Sequence, residues 1–329
     1  MSASRSENGG AAVGIPTAAP ERIRAIPIRH WGRWLGAAVA IYLLVALVYS
    51  FVKSPNVDWL TVGQFMFKPL VLLGLARSVE LTLVCMAVGA VGGVLLAVMR
   101  LSDNPVLSWI AWGYIWFFRG TPVYVQIIIW ANIGVLWVKF YAGLPFTGLV
   151  IASSNSGPLV NNLFVVAILA LGLNEAAYAA ELVRAGIISV DAGQMDAAFS
   201  LGMSPTLTTR RIVLPQAMRV IIPTMGNETI SMLKTTSLLA VIGGGVEMFG
   251  RLQNIYAQTF QIIPLLVVAC IWYLVVTTML TFGQARLEAH FGKGFGEKET
   301  EQAEKRLARR TQKASAASEK AQAGQGGSR

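Results

Sequence analysis

Charge is scarce in this chain. Asp, Glu, Lys and Arg make up 13% of its 329 residues, about half the share of an ordinary globular protein. So few charges cannot clothe the surface of a water-soluble enzyme. Histidine and cysteine are scarcer still, with two of each. His30 and His290 lie in polar tails, and Cys85 and Cys270 sit inside separate apolar runs. No metal-ligand set, redox pair or nucleophile with its base can be read from them. No catalytic residue, metal site or bound cofactor is therefore expected. A phosphate-binding loop is missing as well, since Gly292-Lys293 lacks the earlier glycine and the following Ser or Thr. No polar stretch is long enough for a soluble ligand-binding domain, and no internal repeat of the kind seen in secondary transporters is visible.

What is present is apolar. Hydrophobic residues are 54% of the chain and glycine adds 32 more residues, which excludes a disordered polymer and points to a lipid bilayer. The net charge is +10, but the basic residues cluster beside apolar runs, where they orient membrane spans. No nucleic-acid partner is implied. The expected fold class is all-α, a polytopic membrane protein of about six transmembrane helices. The spans are placed at Leu35–Val52, Leu81–Met99, Val106–Val138 with an interruption at Arg119–Pro122, Asn161–Val183, Val220–Gly243 and Phe260–Gln284. Gly89 and Gly93 in the second span have the small-x-x-x-small spacing that lets helices approach closely. Residues 139–160 read as a re-entrant or interfacial segment, and Gly244–Thr259 as a loop.

Six spans put both termini on one side of the membrane. Twenty Lys/Arg lie in the two tails, the turn at Arg100 and the loop 184–219, against five in the opposite loops. The positive-inside rule then makes both termini and the 184–219 loop cytoplasmic. The resulting organisation is a tail over 1–33, a first helix and outer loop over 34–69, a core over 70–289 and a charged tail over 290–329.

The 184–219 loop carries the most information. Asp191–Leu201 has helix formers and stops at Gly202. Ser204 followed by Pro205 opens a second short helix to Val213. Two short helices meeting at a glycine make a knob that either docks in a partner's groove or lies on lipid. Asp196-Ala197-Ala198, Gly202, Ile212 and Leu214-Pro215 resemble, with the same spacing throughout, the EAA loop of bacterial ABC importer permeases, with Asp196 in place of the usual Glu. Phe118-Arg119-Gly120-Thr121-Pro122 with Gln126, Ala177-Tyr178-x-x-Glu181-x-x-Arg184, and Asn227-Glu228 with Lys234-x-Thr236-Ser237-Leu238 resemble the polar amino-acid branch of that family. The resemblance covers about residues 70–289 and makes the first span an addition to a five-span core. It implies a type I importer fold in the bacterial cytoplasmic (inner) membrane and docking of the loop on separate ATPase subunits, which use ATP and Mg. It further implies a homodimer or a second related permease, and a periplasmic or extracytoplasmic amino-acid-binding protein.

Polar residues inside spans are costly and usually functional. Asn174, Tyr178 and Glu181 fall on one helix face, as do Asn227, Ser231 and Lys234, with Glu228 beside them. These residues either line a translocation pathway or bind helices together. Arg119, with Thr121 and Gln126, either meets a substrate carboxylate or caps carbonyls freed by Pro122. The leading expectation is the membrane subunit of an ATP-driven amino-acid importer. The alternative is an ion-coupled secondary transporter that relays charge through Glu181, Glu228 and Lys234.

Overall fold

The computed structural model describes residues 31–143, 150–157 and 161–291. The chain divides after Val57 into two units. The first holds α1 (Trp31–Val52), a helix apolar on every face with no buried side chain, as a lipid-facing span requires.

The second unit begins with α2 (Trp59–Met66). Asp58 caps it by accepting from Leu60 N (3.0 Å) and Thr61 N (3.3 Å) and from the Thr61 hydroxyl (2.6 Å). The hydroxyl is the main cause that holds this carboxyl below the usual carboxylate range. The long helix α3 (Pro69–Arg100) follows, then α4 (Pro105–Gly120), α5 (Val123–Ala131) and the short α6 (Ile133–Leu136). A hairpin of β1 (Lys139–Gly143) and β2 (Val150–Asn155) comes next, then α7 (Leu163–Ile188), α8 (Ala192–Ser200) and α9 (Pro205–Thr208). A π-helical turn, Thr209–Val213, leads directly into α10 (Leu214–Thr235) and a 3-10 stretch, Thr236–Ile242. Two helices close the described chain, α11 (Met248–Thr259) and α12 (Ile262–Phe291).

Four of these helices, α1, α3, α7 and α12, are long and apolar enough to cross a membrane. The third and fifth expected spans take another form. Thr121-Pro122 splits the third into α4 and α5. The fifth, α10, is 22 residues long, but Asn227, Glu228 and Lys234 keep its apolarity low. The helix that holds the second span starts twelve residues before the apolar run, with Pro69 at its first position, and Arg77 and Glu80 pair on it at 2.6 Å. In the segment expected over 139–160, of which 144–149 and 158–160 lie outside the described residues, β1 and β2 pair antiparallel, with Phe140 opposite Ser154, Tyr141 opposite Ser153 and a bulge at Ala142/Gly143. The aromatic and β-branched residues at 140, 141, 150 and 151 favour strands. The expected loop Gly244–Thr259 contains α11, whose Met248, Leu252 and Ile255 recur at helical spacing and pack on Val71, Leu265 and Val268.

The centre of the unit is α3 against α7. An added Cβ at Gly93 would stand 2.5 Å from Ala179 Cβ and 2.9 Å from that residue's carbonyl carbon, and one at Gly92 would stand 2.8 Å from Ala176 Cβ. The backbones touch because both faces are small, as the glycine spacing anticipated. Leu81, Cys85, Ile127, Leu171 and Leu239 fill the adjoining core.

Candidate translocation cavity and docking knob

The break between α4 and α5 positions the site. Pro122 has no N–H, so the carbonyl of Phe118 loses its helical donor. The Gln126 side-chain amide donates to it at 2.9 Å and the Asn174 amide at 3.0 Å. Asn174 also donates to Gln126 Oε1 (3.1 Å), and the Thr121 hydroxyl donates to Phe117 O (2.8 Å). The carbonyls freed by the break are thus bonded by Gln126, Asn174 and Thr121, while Arg119 is left for other partners. Gln126 is buried behind the cavity wall.

Beside this break lies a cavity of about 430 Å³, lined among others by Arg119, Thr121, Asn174, Glu175, Glu228 and Ser231. On α10 the wall is formed by Glu228, Ser231, Met232 and Thr235, so Ser231 of the expected stripe and Glu228 beside it reach the cavity. Asn227 is exposed and outside that wall. Lys234 lines a separate, mostly apolar cleft with Ser237, Cys270 and Tyr273.

Glu175 is a residue that sequence reasoning passed over. It is 4% exposed, and its Oε1 is buried without a hydrogen-bond partner. Its stem lies against Gly89, where an added Cβ would clash with it. The signal was a lone carboxylate in the apolar half of α7, adjacent to the Asn174 stripe.

A second cavity, about 600 Å³, adjoins the first and shares Arg119, Gly120 and Tyr178 with it. It adds Arg100, Trp112, Glu181 and Arg184. Arg184 grips Glu181 through two bonds, 2.7 and 3.3 Å. Arg119 approaches the same carboxylate at 3.8 Å while lying over the Tyr178 ring, 5.3 Å from its centroid.

Past the end of α7 is the knob. Asp191 caps α8 through Gly193 N at 2.7 Å. At its far end Gly202 takes φ +77°, with Gly202 N bonded to Phe199 O (2.9 Å) and Met203 N to Ala198 O (3.1 Å). That is the paired closure of a Schellman C-terminus, which favours glycine. Ser204 caps α9. Asp196 and Ala197 are exposed, and Ala198 is buried. Phe199 and Leu201 stand out at 49% and 82% exposure. The 184–219 segment is largely helical: α7 runs on to Ile188, and the piece from Pro205 joins α10 without a stop. Arg184, Arg210 and Arg211 sit on helix and mark where polarity changes, not where the helices end. Ile212 lies in the π turn, and its carbonyl accepts from the Gln216 side-chain amide (3.0 Å). Leu214 and Pro215 open α10, both exposed.

Residues 89–293 match the family described as binding-protein-dependent transport system inner membrane component. The chain belongs to this family. This permease is 45% identical over 281 residues to the arginine transport permease ArgU of Corynebacterium glutamicum, covering 85% of this chain and 87% of that one. It is 40% identical over 192 residues to the L-cystine permease TcyL of Bacillus subtilis, covering 58% and 74%. A solved amino acid ABC transporter with histidines is 31% identical, with TM-score 0.59, covering 71% of this chain and 99% of that one. A MetNI structure at 17% identity and TM-score 0.51 shares the fold. The permease is therefore a multi-pass inner-membrane subunit of an ABC importer with the type I fold. It performs no catalysis itself, and works with separate ATPase subunits and a binding protein. Nothing in these relationships supports the ion-coupled alternative.

Proposed function

We propose that the permease imports amino acids with a cationic side chain. The observation that carries this reading is the 430 Å³ cavity, where Glu175 and Glu228 share the wall with a single guanidinium, Arg119. Two carboxylates suit a cationic side chain, and Arg119 suits the α-carboxylate. The name of ArgU, an arginine permease similar over most of this chain, supports the same class. Asn174, Thr121 and Gln126 act in this reading by holding the α4–α5 break open beside the substrate. Tyr178 and Ser231 complete the wall, and Glu181 belongs to its exit.

The knob docks on an ATPase subunit. Asp196, Ala197, Phe199 and Leu201 form the exposed face, and Gly202, Ile212, Leu214 and Pro215 fix its attachment to α10. ATP and Mg are held by that partner. Two permease chains, identical or related, flank the pathway, and both termini face the cytoplasm. ATP-driven closure shifts the population of inward- and outward-facing states because the ATPase binds nucleotide differently in each.

Uptake by the importer reconstituted with its ATPase subunits and binding protein tests this reading. L-arginine uptake is expected to depend on ATP and to fall about tenfold or more in Glu175→Gln and Glu228→Gln. Equal import of L-glutamine, with both variants unaffected, would overturn it.

A further inference from the structure

The two cavities carry opposite charge. The first sets Glu175 and Glu228 against Arg119. The second sets Arg100, Arg119 and Arg184 against Glu181 alone. Three guanidiniums for one carboxylate leave a formal excess of two positive charges. Arg184 spends its charge on Glu181 in a two-bond grip, and Arg119 is shared between the cavities. Arg100 donates to the Ser108 hydroxyl at 2.8 Å and forms no ion pair among the described residues. Arg100 is half-buried at the cleft walled by Trp112, Ile115 and Trp116, so an anion entering there meets a guanidinium not already committed to a carboxylate.

We infer that the second cavity is a separate binding site for the zwitterionic head of an amino acid, on the knob side of Arg119. This rests on the importer reading above. Arg100 receives the α-carboxylate, and Glu181, whose oxygens can accept further bonds beside the Arg184 grip, receives the α-ammonium group. Lipid phosphate shares the anionic chemistry. The zwitterion is favoured because the cavity includes a carboxylate and because Arg119, Gly120 and Tyr178 join it to the first cavity. A ligand leaving the first site enters the second without crossing lipid. Arg119 stands between them, facing Glu181 at 3.8 Å on one side and lining the Glu175–Glu228 wall on the other.

Calorimetric titration of the importer, permease with ATPase subunits, in phosphatidylcholine nanodiscs tests this. L-arginine is expected to fill two sites per permease chain, and agmatine, its decarboxylated analogue, only one. Arg100→Gln is expected to weaken the second L-arginine site about tenfold or more and leave agmatine binding unchanged. Arg100→Gln is the variant on which the test rests, since it breaks no ion pair. A single L-arginine site in the unmodified importer, or a second site indifferent to Arg100→Gln, would overturn the proposal. So would loss of the second site in nanodiscs containing phosphatidylglycerol, which would assign the cavity to lipid. Two sites filled by a neutral amino acid but by neither cation would remove the cationic-substrate reading and leave this one standing.

Discussion

In the knob, Asp191, Gly202 and Ser204 each act on a backbone group within five residues. In the cavity, Asn174 reaches Phe118 across 56 residues and Gln126 across 48. The knob's bonds are local: caps and a left-handed glycine close its turns. The cavity exists only once α4, α5, α7 and α10 have met. In the proposed reading, a surface that docks on another protein is thus built from short-range bonds. A site that must change shape is built from long-range bonds between helices that can move apart.

The sharpest break in that comparison is Gly93→Val. The added carbons meet backbone atoms of Ala179 and Ala180 at 2.9 Å, so α3 and α7 must separate. The expected cost is about 1–3 kcal/mol or more, with the knob's own helix intact. Detergent-solubilised thermal unfolding, alongside binding of the ATPase subunit, would check it. Gly202→Val reverses the pattern. Its cost is about 1–2 kcal/mol for a side chain in a left-handed conformation, since nothing lies within 4 Å of the added Cβ. Import per ATP hydrolysed should collapse while the protein remains inserted, and normal uptake would remove the docking role.

Gln126→Leu comes next. It takes one donor from Phe118 O and leaves Asn174 as that carbonyl's remaining side-chain partner. About 1–3 kcal/mol is expected for the buried polar groups left unpaired, together with a raised KM for uptake. The smallest effect belongs to Lys234→Met. Lys234 lines the separate cleft, so reconstituted uptake should stay within about twofold of the unmodified importer, as expected for a substitution outside the site. A tenfold loss would return Lys234 to the pathway.

The same contrast explains what could be read beforehand. Asp191, Gly202 and Ser204-Pro205 were legible because capping is written in adjacent residues. The small faces of α3 were legible from Gly89 and Gly93, but their consequence, a pocket for the stem of Glu175, needs the position of α7. On α10, Ser231 and Glu228 of the expected set line the cavity and Asn227 and Lys234 do not, because spacing defines a stripe and only packing defines its rotation. The helix α11 was hidden behind three glycines with positive φ, Gly243, Gly244 and Gly245, although Met248, Leu252 and Ile255 carried its period. The strand pair β1–β2 gives a weak signal, since its two strands are only five and six residues long.

From Pro205 to Ile242 the helical path has no gap. The knob's second half and Glu228 are thus on one strut, 23 residues apart, roughly 35 Å at 1.5 Å per residue. A rod of that length is a lever. A tilt of about 5° imposed at the ATPase end swings its far portion by roughly 3 Å, comparable to the reach of a hydrogen bond. The carboxylate would then be carried to and from the substrate by geometry, and the stiffness of this path at its π turn and at Pro223 would set how faithfully ATP hydrolysis becomes transport.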